Sequence, residues 1–452
     1  MQQNKFTKLT TLIAAIMLVS SYASAQVNDA TVKKAVDSIK PAHKSYAFTA
    51  KQAVEFGLKN SVQVKNALLD VLIQKEVNDE VSGAALPQIN ASGTMLDNLE
   101  IQTIVFPGQN GVLTPFKAGL PWTSSGSITF SQILFDGTVF LGLKARKTFI
   151  DIKRSAVDVT EENIKTNIYK IYYQLVVSRA QTSLLDANID RLSKLNHDVN
   201  IIYKNGFVEK LDVDKLTVQI ANLQTEKLMI ESGVNNGYNA LKVLMGIPVK
   251  DTLVLTDTLS DNEIREGVLE NSTYKYHDRK EFRALEYANK LNGLNIKRFQ
   301  QSRLPVLSLI GNYGVHFDAY GKWYTSSYVG LNLSVPIFRG FAIKSRVDRS
   351  RLELKQTQNQ MEALKISIDS DVENAKTNFA TAIATMDFQK KNMELAELIY
   401  NQTKKKYEVG TGSSTEINAS QTDLKAAQTN YIQALYDAII AKVDFLKAVG
   451  KL

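Results

Sequence analysis

The chain has 452 residues, 44% of them hydrophobic, and a formal net charge of +8. It contains no cysteine, which excludes a disulfide framework, thiol catalysis and a lipid attached to an N-terminal cysteine. Because the basic residues are spread over the whole length, they predict a charged, solvated surface and no nucleic-acid partner.

The N-terminus has the pattern of a secretory signal peptide. Lys5 and Lys8 precede an apolar run over residues 9–19, and Ala23-Ser24-Ala25 supplies the small residues of a cleavage site. Residues 1–25 are therefore predicted to be a signal peptide on an exported protein. Beyond it the sequence has no run of 18 apolar residues, the length at which a transmembrane helix would be considered.

The remaining sequence contains an internal two-fold repeat. Leu86-Pro87 returns as Leu304-Pro305, 218 residues later, and Tyr203-x-x-Gly206 returns as Tyr407-x-x-Gly410, 204 residues later. A period near 200 residues is too long for a solenoid unit. It predicts two structural halves, 48–247 and 277–450, with a linker at 248–276. About 15 extra residues between Gly93 and Phe135 in the first half are predicted to loop out.

Four segments alternate between apolar and polar residues with a period of two: 89–95, 128–134, 307–317 and 323–335. This alternation is typical of strands, and the length of the longer ones fits strands that cross a membrane at a tilt. Alternation alone leaves open an ordinary half-buried sheet in a soluble domain. Aromatic residues gather near these segments and are predicted to form a membrane-interface girdle: Trp122, Phe130, Tyr313, Phe317, Trp323, Tyr324 and Tyr328.

Two long stretches, from Thr138 to about 203 and from Phe341 to about 407, lack proline and repeat apolar residues at coiled-coil spacing. Each would span on the order of 100 Å as a helix. Shorter helices are predicted at about 49–84, 210–245, 277–303 and 413–449. The glycine turns at Gly206 and Gly410 reverse each long helix into a returning one, so strands lie at one end and turns at the other.

Four strands cannot close a barrel, and open sheet edges are not tolerated in lipid. Three copies would supply twelve strands, within the range of bacterial barrels. The predicted fold class is therefore an α+β membrane protein with an internal two-fold repeat. Long coiled-coil helices form an α-helical barrel, and four strands per chain contribute to a trimeric twelve-stranded transmembrane β-barrel.

From about 48 to 450 the chain resembles the TolC-like outer-membrane efflux protein family. The resemblance rests on six paired motifs: Leu86-Pro87 and Leu304-Pro305, Phe135-Asp136-Gly137 and Phe338-Arg339-Gly340, and the two Tyr-x-x-Gly turns. It implies a homotrimer in outer-membrane lipid with a large periplasmic extension, which includes residues 26–47. It also implies the exit duct of a tripartite efflux pump or type I secretion system. Its partners would be a periplasmic adaptor (membrane fusion protein) and an inner-membrane pump.

The resemblance further implies a periplasmic gate of acidic side chains beyond the turn glycines, tethered by a loop arginine. Asp212 and Glu416 occupy acidic positions and are the predicted gate residues. Gly412 stands at the arginine position and Ala419 at the second acidic position, so that tether is absent here. A simpler interpretation of Asp212 is the N-cap of the returning helix.

The turn residues Gly206, Phe207, Gly410 and Thr411 are the predicted contact surface for the adaptor. The four histidines lie far apart in the chain without metal-ligand spacing, so no metal, cofactor or enzymatic activity is predicted. A soluble periplasmic coiled-coil adaptor is the alternative function. Such adaptors contain one helical hairpin, whereas this sequence predicts two hairpins interrupted by aromatic-rich strands.

Overall fold

The computed structural model of the chain describes residues 44–107, 113–258, 264–265, 274–317 and 322–452. The signal peptide and all but residues 44–47 of the predicted N-terminal segment lie outside these ranges. The described chain divides into a small unit, whose described residues are 44–46 and 250–252, and a large unit that contains the other described residues. In the small unit the Lys44 backbone N–H donates to Asp251 Oδ1 at 3.2 Å, and Thr252 N–H donates to the Lys44 carbonyl at 2.9 Å.

The first half begins with a short strand and two helices, continues with four strands, and ends with a long helix and a returning helix. These elements are β1 (Ser45–Phe48), α1 (Ala50–Asn60), α2 (Val62–Gly83), β2 (Gln88–Asp97), β3 (Thr103–Pro107), β4 (Leu113–Lys117), β5 (Trp122–Phe135), α3 (Gly137–Lys204) and α4 (Lys210–Met245).

The second half repeats this order without the extra pair of strands. After β6 (Thr252–Leu255) and a short 3₁₀ turn come α5 (Lys280–Gln301), β7 (Val306–Phe317), β8 (Trp323–Ser334), α6 (Ala342–Glu408) and α7 (Ser414–Ala448). The long helices contain 68 and 67 residues. The predicted long helices, returning helices and four strands are therefore confirmed, with bounds that differ by a few residues.

The four predicted strands form one antiparallel sheet in the order β2-β5-β7-β8. Its central pair joins the two halves of the chain, because β5 belongs to the first half and β7 to the second. In the described part of the chain β2 and β8 have a strand neighbour on one side only. The extra residues of the first half, predicted as a loop, instead include the separate hairpin β3-β4.

The register gives this sheet two faces of opposite polarity. One row across the four strands contains Ile89, Phe130, Gly311 and Val329. The adjacent row contains Asn90, Thr129, Asn312 and Tyr328. Because successive side chains point to opposite faces, the first row lies on a predominantly apolar face and the second on a polar face.

The helix predicted over 49–84 is interrupted at Ser61, where α1 ends and α2 begins. Gly246, just beyond the end of α4, adopts a φ of 73° and packs directly on this junction. A methyl group at Gly246 would lie 2.5 Å from the Asn60 carbonyl oxygen. The interruption therefore accompanies a close backbone approach between elements far apart in sequence.

The second half repeats this contact. Gly450 follows α7 with a φ of 74°, and a methyl group there would lie 2.9 Å from backbone atoms of Asp278. Gly246 and Gly450 are 204 residues apart and Asn60 and Asp278 are 218 residues apart, the same two spacings that relate the sequence motifs. The duplication is thus visible in the packing as well as in the sequence.

Two apolar clusters support the helices. One lies among α5, α6 and α7, where Phe379 stacks on Phe445 with ring centroids 6.2 Å apart. The other joins α3, α4, α6 and α7 towards the glycine turns and includes Leu192, Leu216 and Leu424. None of the helices in the described ranges carries an 18-residue segment of sufficient hydropathy to span a bilayer.

Glu162 on α3 is a buried carboxylate whose two oxygens have no hydrogen-bond partner among the described residues. Burial is the main cause that raises the pKa of this carboxyl, and the nearby Glu281 adds to it. Lys447, Lys280 and Arg279 oppose the shift but do not cancel it. The ionised form of Glu162 is therefore disfavoured in the folded protein.

We expect Glu162→Gln to stabilise the protein at neutral pH, because the neutral amide does not carry the desolvation cost of a buried carboxylate. A raised carboxyl pKa lowers stability as the pH rises from the ordinary carboxyl range to the folded-state pKa. The gain should therefore disappear in acid. Thermal unfolding measured across pH tests this, with the exposed Glu76→Gln on α2 as the control. A gain of equal size at every pH would contradict the assignment.

Candidate functional site at the helical turns

The two helical hairpins reverse through the same backbone motif. Gly206 has a φ of 81° and Gly410 a φ of 77°. Gly206 N–H donates to the Tyr203 carbonyl at 2.9 Å, and Gly410 N–H donates to the Tyr407 carbonyl at 3.0 Å. The residue after each glycine donates to the carbonyl five residues earlier, which completes a Schellman motif. Glycine is favoured at both positions because other residues rarely adopt a positive φ.

The predicted contact residues at these turns are all exposed. Phe207 is the most prominent of them, with 82% of its surface accessible. Val409, which is not among the predicted contact residues, is 72% accessible at the matching end of α6. Each hairpin therefore presents one large apolar side chain next to its turn, although the two side chains stand on opposite sides of their glycines in the sequence.

Asp212 lies in the first turn of α4 and does not cap it. The N-cap position belongs to Glu209, and the backbone N–H of Asp212 donates to the Glu209 carbonyl at 3.1 Å. The N-cap interpretation of Asp212 is therefore wrong. Its carboxylate lies 3.8 Å from the Lys215 ammonium and is half-buried, a position near a helix N-terminus that favours negative charge.

Tyr407 joins this group from α6. Its hydroxyl is buried and has no hydrogen-bond partner among the described residues. Burial raises the pKa of the Tyr407 phenol, and the carboxylates of Asp212 and Asp198 raise it further. The fold thus brings side chains of α3, α4 and α6 together behind the turns. The heptad spacing of α6 places Tyr407 on the apolar seam of the helix, but it does not indicate the carboxylates of Asp212 and Asp198 as its neighbours.

Glu416 occupies the corresponding first turn of α7 but has a different environment. Ser413 caps this helix, since its Oγ accepts a hydrogen bond from the Glu416 N–H at 3.1 Å. The Glu416 side chain is exposed. The two predicted gate carboxylates are therefore not equivalent, because one is half-buried beside a lysine and the other faces solvent.

Gly412, which stands where the resemblance expects an arginine, lies in a tight part of the second turn. A methyl group at this position would be 3.0 Å from the Tyr407 backbone nitrogen and 3.2 Å from the Lys406 carbonyl carbon. The Gly412 N–H also donates to the Lys406 carbonyl at 3.0 Å. This turn therefore leaves little room for any side chain at residue 412.

A groove of ≈ 730 Å³ runs between α4 and α7 immediately behind the turns. Its α4 wall consists of Leu211, Asp214, Lys215, Val218 and Gln219, and its α7 wall of Thr415, Asn418, Ala419, Thr422 and Asp423. Each α7 residue is 204 positions after its α4 counterpart, so the walls are related by the duplication. They differ in chemistry, because α4 presents exposed Leu211 and Val218 where α7 presents threonines.

A polar layer joins the helices farther from the turns. Asn188 on α3 is buried, and its side chain bonds to Gln421 at 3.0 Å and to Gln428 at 3.2 Å, both on α7. One helical turn along α3, the Arg191 guanidinium lies 5.0 Å from the ring centroid of Tyr400 on α6. Hydrogen bonds need specific partners, so this layer sets the register of α3 against α7.

The sheet places the predicted interface aromatics in three groups. Trp122, Phe317 and Trp323 lie on the apolar face at strand ends, where Phe317 pairs with Trp323. Phe130 and Tyr313 share that face but lie within the strands, opposite Gly311 and Ile128 respectively. The girdle role of these two residues stays a prediction.

Tyr324 and Tyr328 lie on the polar face. Tyr324 pairs with His316 and stacks on its ring at a centroid distance of 5.7 Å, and Tyr328 pairs with Asn312. Their role in a membrane-interface girdle stays a prediction, with both rings on the polar face of the sheet. The alternation already identified in the sequence puts even-numbered residues of this strand on the polar face. The sequence numbers alone therefore distinguish Tyr324 and Tyr328 from Trp323.

Comparison with known proteins gives a family and a fold. Residues 279–451 match the model of the family described as outer membrane efflux protein. The outer membrane protein TolC of Vibrio cholerae is 21% identical over 401 residues, which cover 85% of this chain and 87% of that protein. The outer membrane efflux protein BepC of Brucella suis is 20% identical over 340 residues, covering 73% of each chain.

Solved structures share the fold at lower identity. The structure of CusC superposes with a TM-score of 0.73 at 15% identity, covering 89% of this chain and 92% of that chain. The CmeC outer membrane channel of Campylobacter jejuni superposes with a TM-score of 0.72 at 15% identity, covering 89% and 85%. This chain, CusC and CmeC thus share the arrangement of long helices and four antiparallel strands.

Proposed function

We propose that this protein, which belongs to the TolC-like outer membrane efflux protein family, is the exit duct of a tripartite efflux pump or type I secretion system. As a family member it is an outer-membrane efflux channel with a periplasmic helical domain, and channels of this family are not enzymes. One observation carries the finer proposal. A sheet with an apolar and a polar face continues directly into helices long enough to cross much of the periplasm.

Closure of the sheet supports a homotrimer. In lipid, the unpaired N–H and C=O groups along β2 and β8 would each lack a partner, at a cost of several kcal/mol per group. Pairing β8 of one copy with β2 of the next removes both edges. Three copies of this four-stranded sheet make twelve strands, a size found among outer-membrane barrels. The apolar face would then meet lipid, with Trp122, Phe317 and Trp323 at one interface.

The two halves of the chain, 48–247 and 277–450, would contribute equivalent hairpins to the periplasmic end of this duct. With the segment 248–276 between them, each trimer would have six hairpins around one axis. The cargo would enter between the hairpin turns and leave through the barrel. Energy for transport would come from the pump, because a duct of this kind supplies only a path.

The trimer is tested by the protein mass of the detergent-extracted particle, measured by light scattering and corrected for bound detergent. We expect three chains per particle in the outer-membrane fraction. A monomer that stays in solution without detergent would overturn the duct and favour a soluble periplasmic protein such as an adaptor.

We assign the gate to the carboxylates behind the turns. Asp212 and Glu416 would form two rings of three negative charges at the narrow end of a trimer, without the arginine tether that Gly412 precludes. The proximity of Lys215 and Tyr407 to Asp212 supports a structured ring at this position. Glu416, being exposed, would mainly attract cations to the aperture.

Neutralising both carboxylates with Asp212→Asn and Glu416→Gln should reduce the cation preference of the reconstituted channel and change its conductance. Fixed charges at a constriction concentrate counter-ions, so their removal lowers cation selectivity. Reversal potentials across a planar bilayer measure this. The control, Asp190→Asn with Glu394→Gln, removes equal charge from exposed sites about 20 Å before the turns. Equal effects of the two pairs would remove Asp212 and Glu416 from the gate.

We assign the adaptor contact to the turn residues Gly206, Phe207, Gly410 and Thr411 together with the groove behind them. Leu211 and Val218 are seven residues apart on the exposed wall of α4, the spacing at which one helix receives another. The small residues of α7 leave space for such a helix. An adaptor hairpin with apolar residues in a heptad pattern fits this shape.

We therefore expect Val218→Asp to reduce adaptor binding by about tenfold or more, because it puts a charge into an apolar helix contact. The trimer mass and the conductance of the channel alone should not change. Pull-down of the cognate adaptor by the purified trimer measures the effect. Val243→Asp is the matched control, since Val243 is equally exposed on α4 but lies about 40 Å from Val218. Undiminished adaptor capture by Val218→Asp would place the contact elsewhere.

A further inference from the structure

The helix α2 is apolar, and the rest of its chain leaves it largely uncovered. Its Asn78 side chain donates to the Arg146 carbonyl of α3 at 3.0 Å, and only Asn78 and Val64 of this helix are buried. The other large apolar side chains lie on several sides of the helix and are 42–61% exposed: Val62, Leu68, Leu69, Leu72, Ile73, Val77 and Val81. A helix that is apolar all round is normally buried, which indicates that α2 contacts a surface outside this chain.

The chain topology places α6 of a second copy against α2. In the proposed trimer, on which this inference rests, β8 of one copy pairs with β2 of the next. The strand β8 leads into α6 through residues 335–341, and α2 leads into β2 through residues 84–87. Connections this short keep each helix close to the end of its strand. The α6 helix of the first copy and the α2 helix of the second therefore leave the sheet side by side, with opposite chain directions.

Near the sheet, the exposed faces of these two helices carry complementary residues at matching depths. Asp79 lies four residues from the sheet-side end of α2, and Lys344 lies two residues from the sheet-side end of α6. Leu72 and Leu352 lie eleven and ten residues from these ends and are 58% and 72% exposed. At about 1.5 Å per residue, the members of each pair differ in depth by no more than about 3 Å.

The match continues away from the sheet with the charges reversed. Lys65 of α2 lies eighteen residues from the sheet-side end, and Glu362 of α6 lies twenty. Glu362 accepts a hydrogen bond from Lys365 of its own helix at 2.9 Å through Oε1, so its Oε2 remains available to a partner. Val62 and Ile366 follow at twenty-one and twenty-four residues and are 61% and 72% exposed. The order acid, apolar, base, apolar on α2 thus meets base, apolar, acid, apolar on α6.

The charges nearest the sheet are unfavourable within a single chain. A helix C-terminus disfavours acidic residues and a helix N-terminus disfavours basic ones, yet Asp79 lies near the C-terminus of α2 and Lys344 in the first turn of α6. Neither side chain has an ion-pair partner among the described residues. Glu76, one turn from Asp79, lies at the depth of Asp348 and Arg351, which form an ion pair with each other at 3.1 Å. Contact between copies pairs Asp79 with Lys344 and offsets both unfavourable charges.

We propose that α2 of one copy packs against the sheet-side part of α6 of the next in this register. This α2–α6 seam consists of Val62, Lys65, Leu72 and Asp79 against Ile366, Glu362, Leu352 and Lys344. A slip of one heptad would place Leu72 beside Lys344 and Lys65 beside Leu352, so the order of charged and apolar groups fixes the register. The contact is heterologous, and three copies close it into a ring that continues from the sheet into the helices.

Cysteine cross-linking of the full-length protein tests the seam, because the chain contains no cysteine of its own. The variant Leu72→Cys with Leu352→Cys is treated with a short bismaleimide in the detergent-extracted particle, and we expect covalently linked dimers and trimers on a denaturing gel. The matched control is Leu72→Cys with Ile366→Cys. Ile366 is as exposed as Leu352, at 72%, but lies fourteen residues farther along α6. That distance is about 21 Å, beyond the reach of the reagent, so the control should remain a single chain on the gel.

Charge reversal tests the pairing at the sheet end of the seam. Asp79→Lys should speed dissociation of the trimer in detergent by about two- to fivefold, the range for an exposed ion pair. Adding Lys344→Glu to the same chain should restore the original rate, measured by light scattering after dilution. Asp70→Lys is the control, because Asp70 is exposed nine residues from Asp79 and therefore lies on the opposite side of α2.

The outcomes separate the seam from the trimer itself. A particle of three chains that Leu72→Cys with Leu352→Cys does not cross-link would overturn the seam and leave the duct in place. A particle of one chain would overturn both. Equal cross-linking of the control, or no recovery of the dissociation rate on adding Lys344→Glu, would also overturn the seam.

Discussion

The rest of this structure depends on the requirement that backbone N–H and C=O groups be paired in lipid. In the sheet β2-β5-β7-β8 the two inner strands have a hydrogen-bonded neighbour on both sides. Among the described residues β2 and β8 have such a neighbour on one side only. A single chain cannot correct this, because its four strands are too few to close. Duplication explains the position of the open edges, since β5 and β7 join the two halves in the centre and the outer strands remain available to other copies.

The helices are subject to a different constraint. They extend far from the sheet, and each long helix must reverse direction at its far end. Helices of 68 and 67 residues require packing along their length, which two apolar clusters provide. At the far end, glycines with positive φ make each reversal compact without any apolar core of their own. The turns are consequently exposed, and the residues beside them are free to contact other proteins.

The two hairpins have the same backbone but different chemistry. Asp212 is half-buried near Lys215 and Tyr407, whereas Glu416 is exposed beside its Ser413 cap. The groove between the returning helices likewise has exposed Leu211 and Val218 on one wall and threonines at the matching positions of the other. A duplicated chain can thus repeat one backbone framework and still present two chemically different surfaces.

Local periodicity in the sequence determined the strands, the long helices and the glycine turns, because alternation, heptad spacing and positive-φ glycines act between near neighbours. The same alternation determined which face of the sheet Tyr324 and Tyr328 occupy, because residues at even-numbered positions of this strand lie on the polar face. Only the tertiary structure decided the break at Ser61, the hairpin β3-β4, the burial of Glu162 and the neighbours of Tyr407. Each of these depends on contacts between residues tens to hundreds of positions apart in the sequence, such as the contact of Gly246 with Asn60. A local sequence pattern cannot predict such a contact.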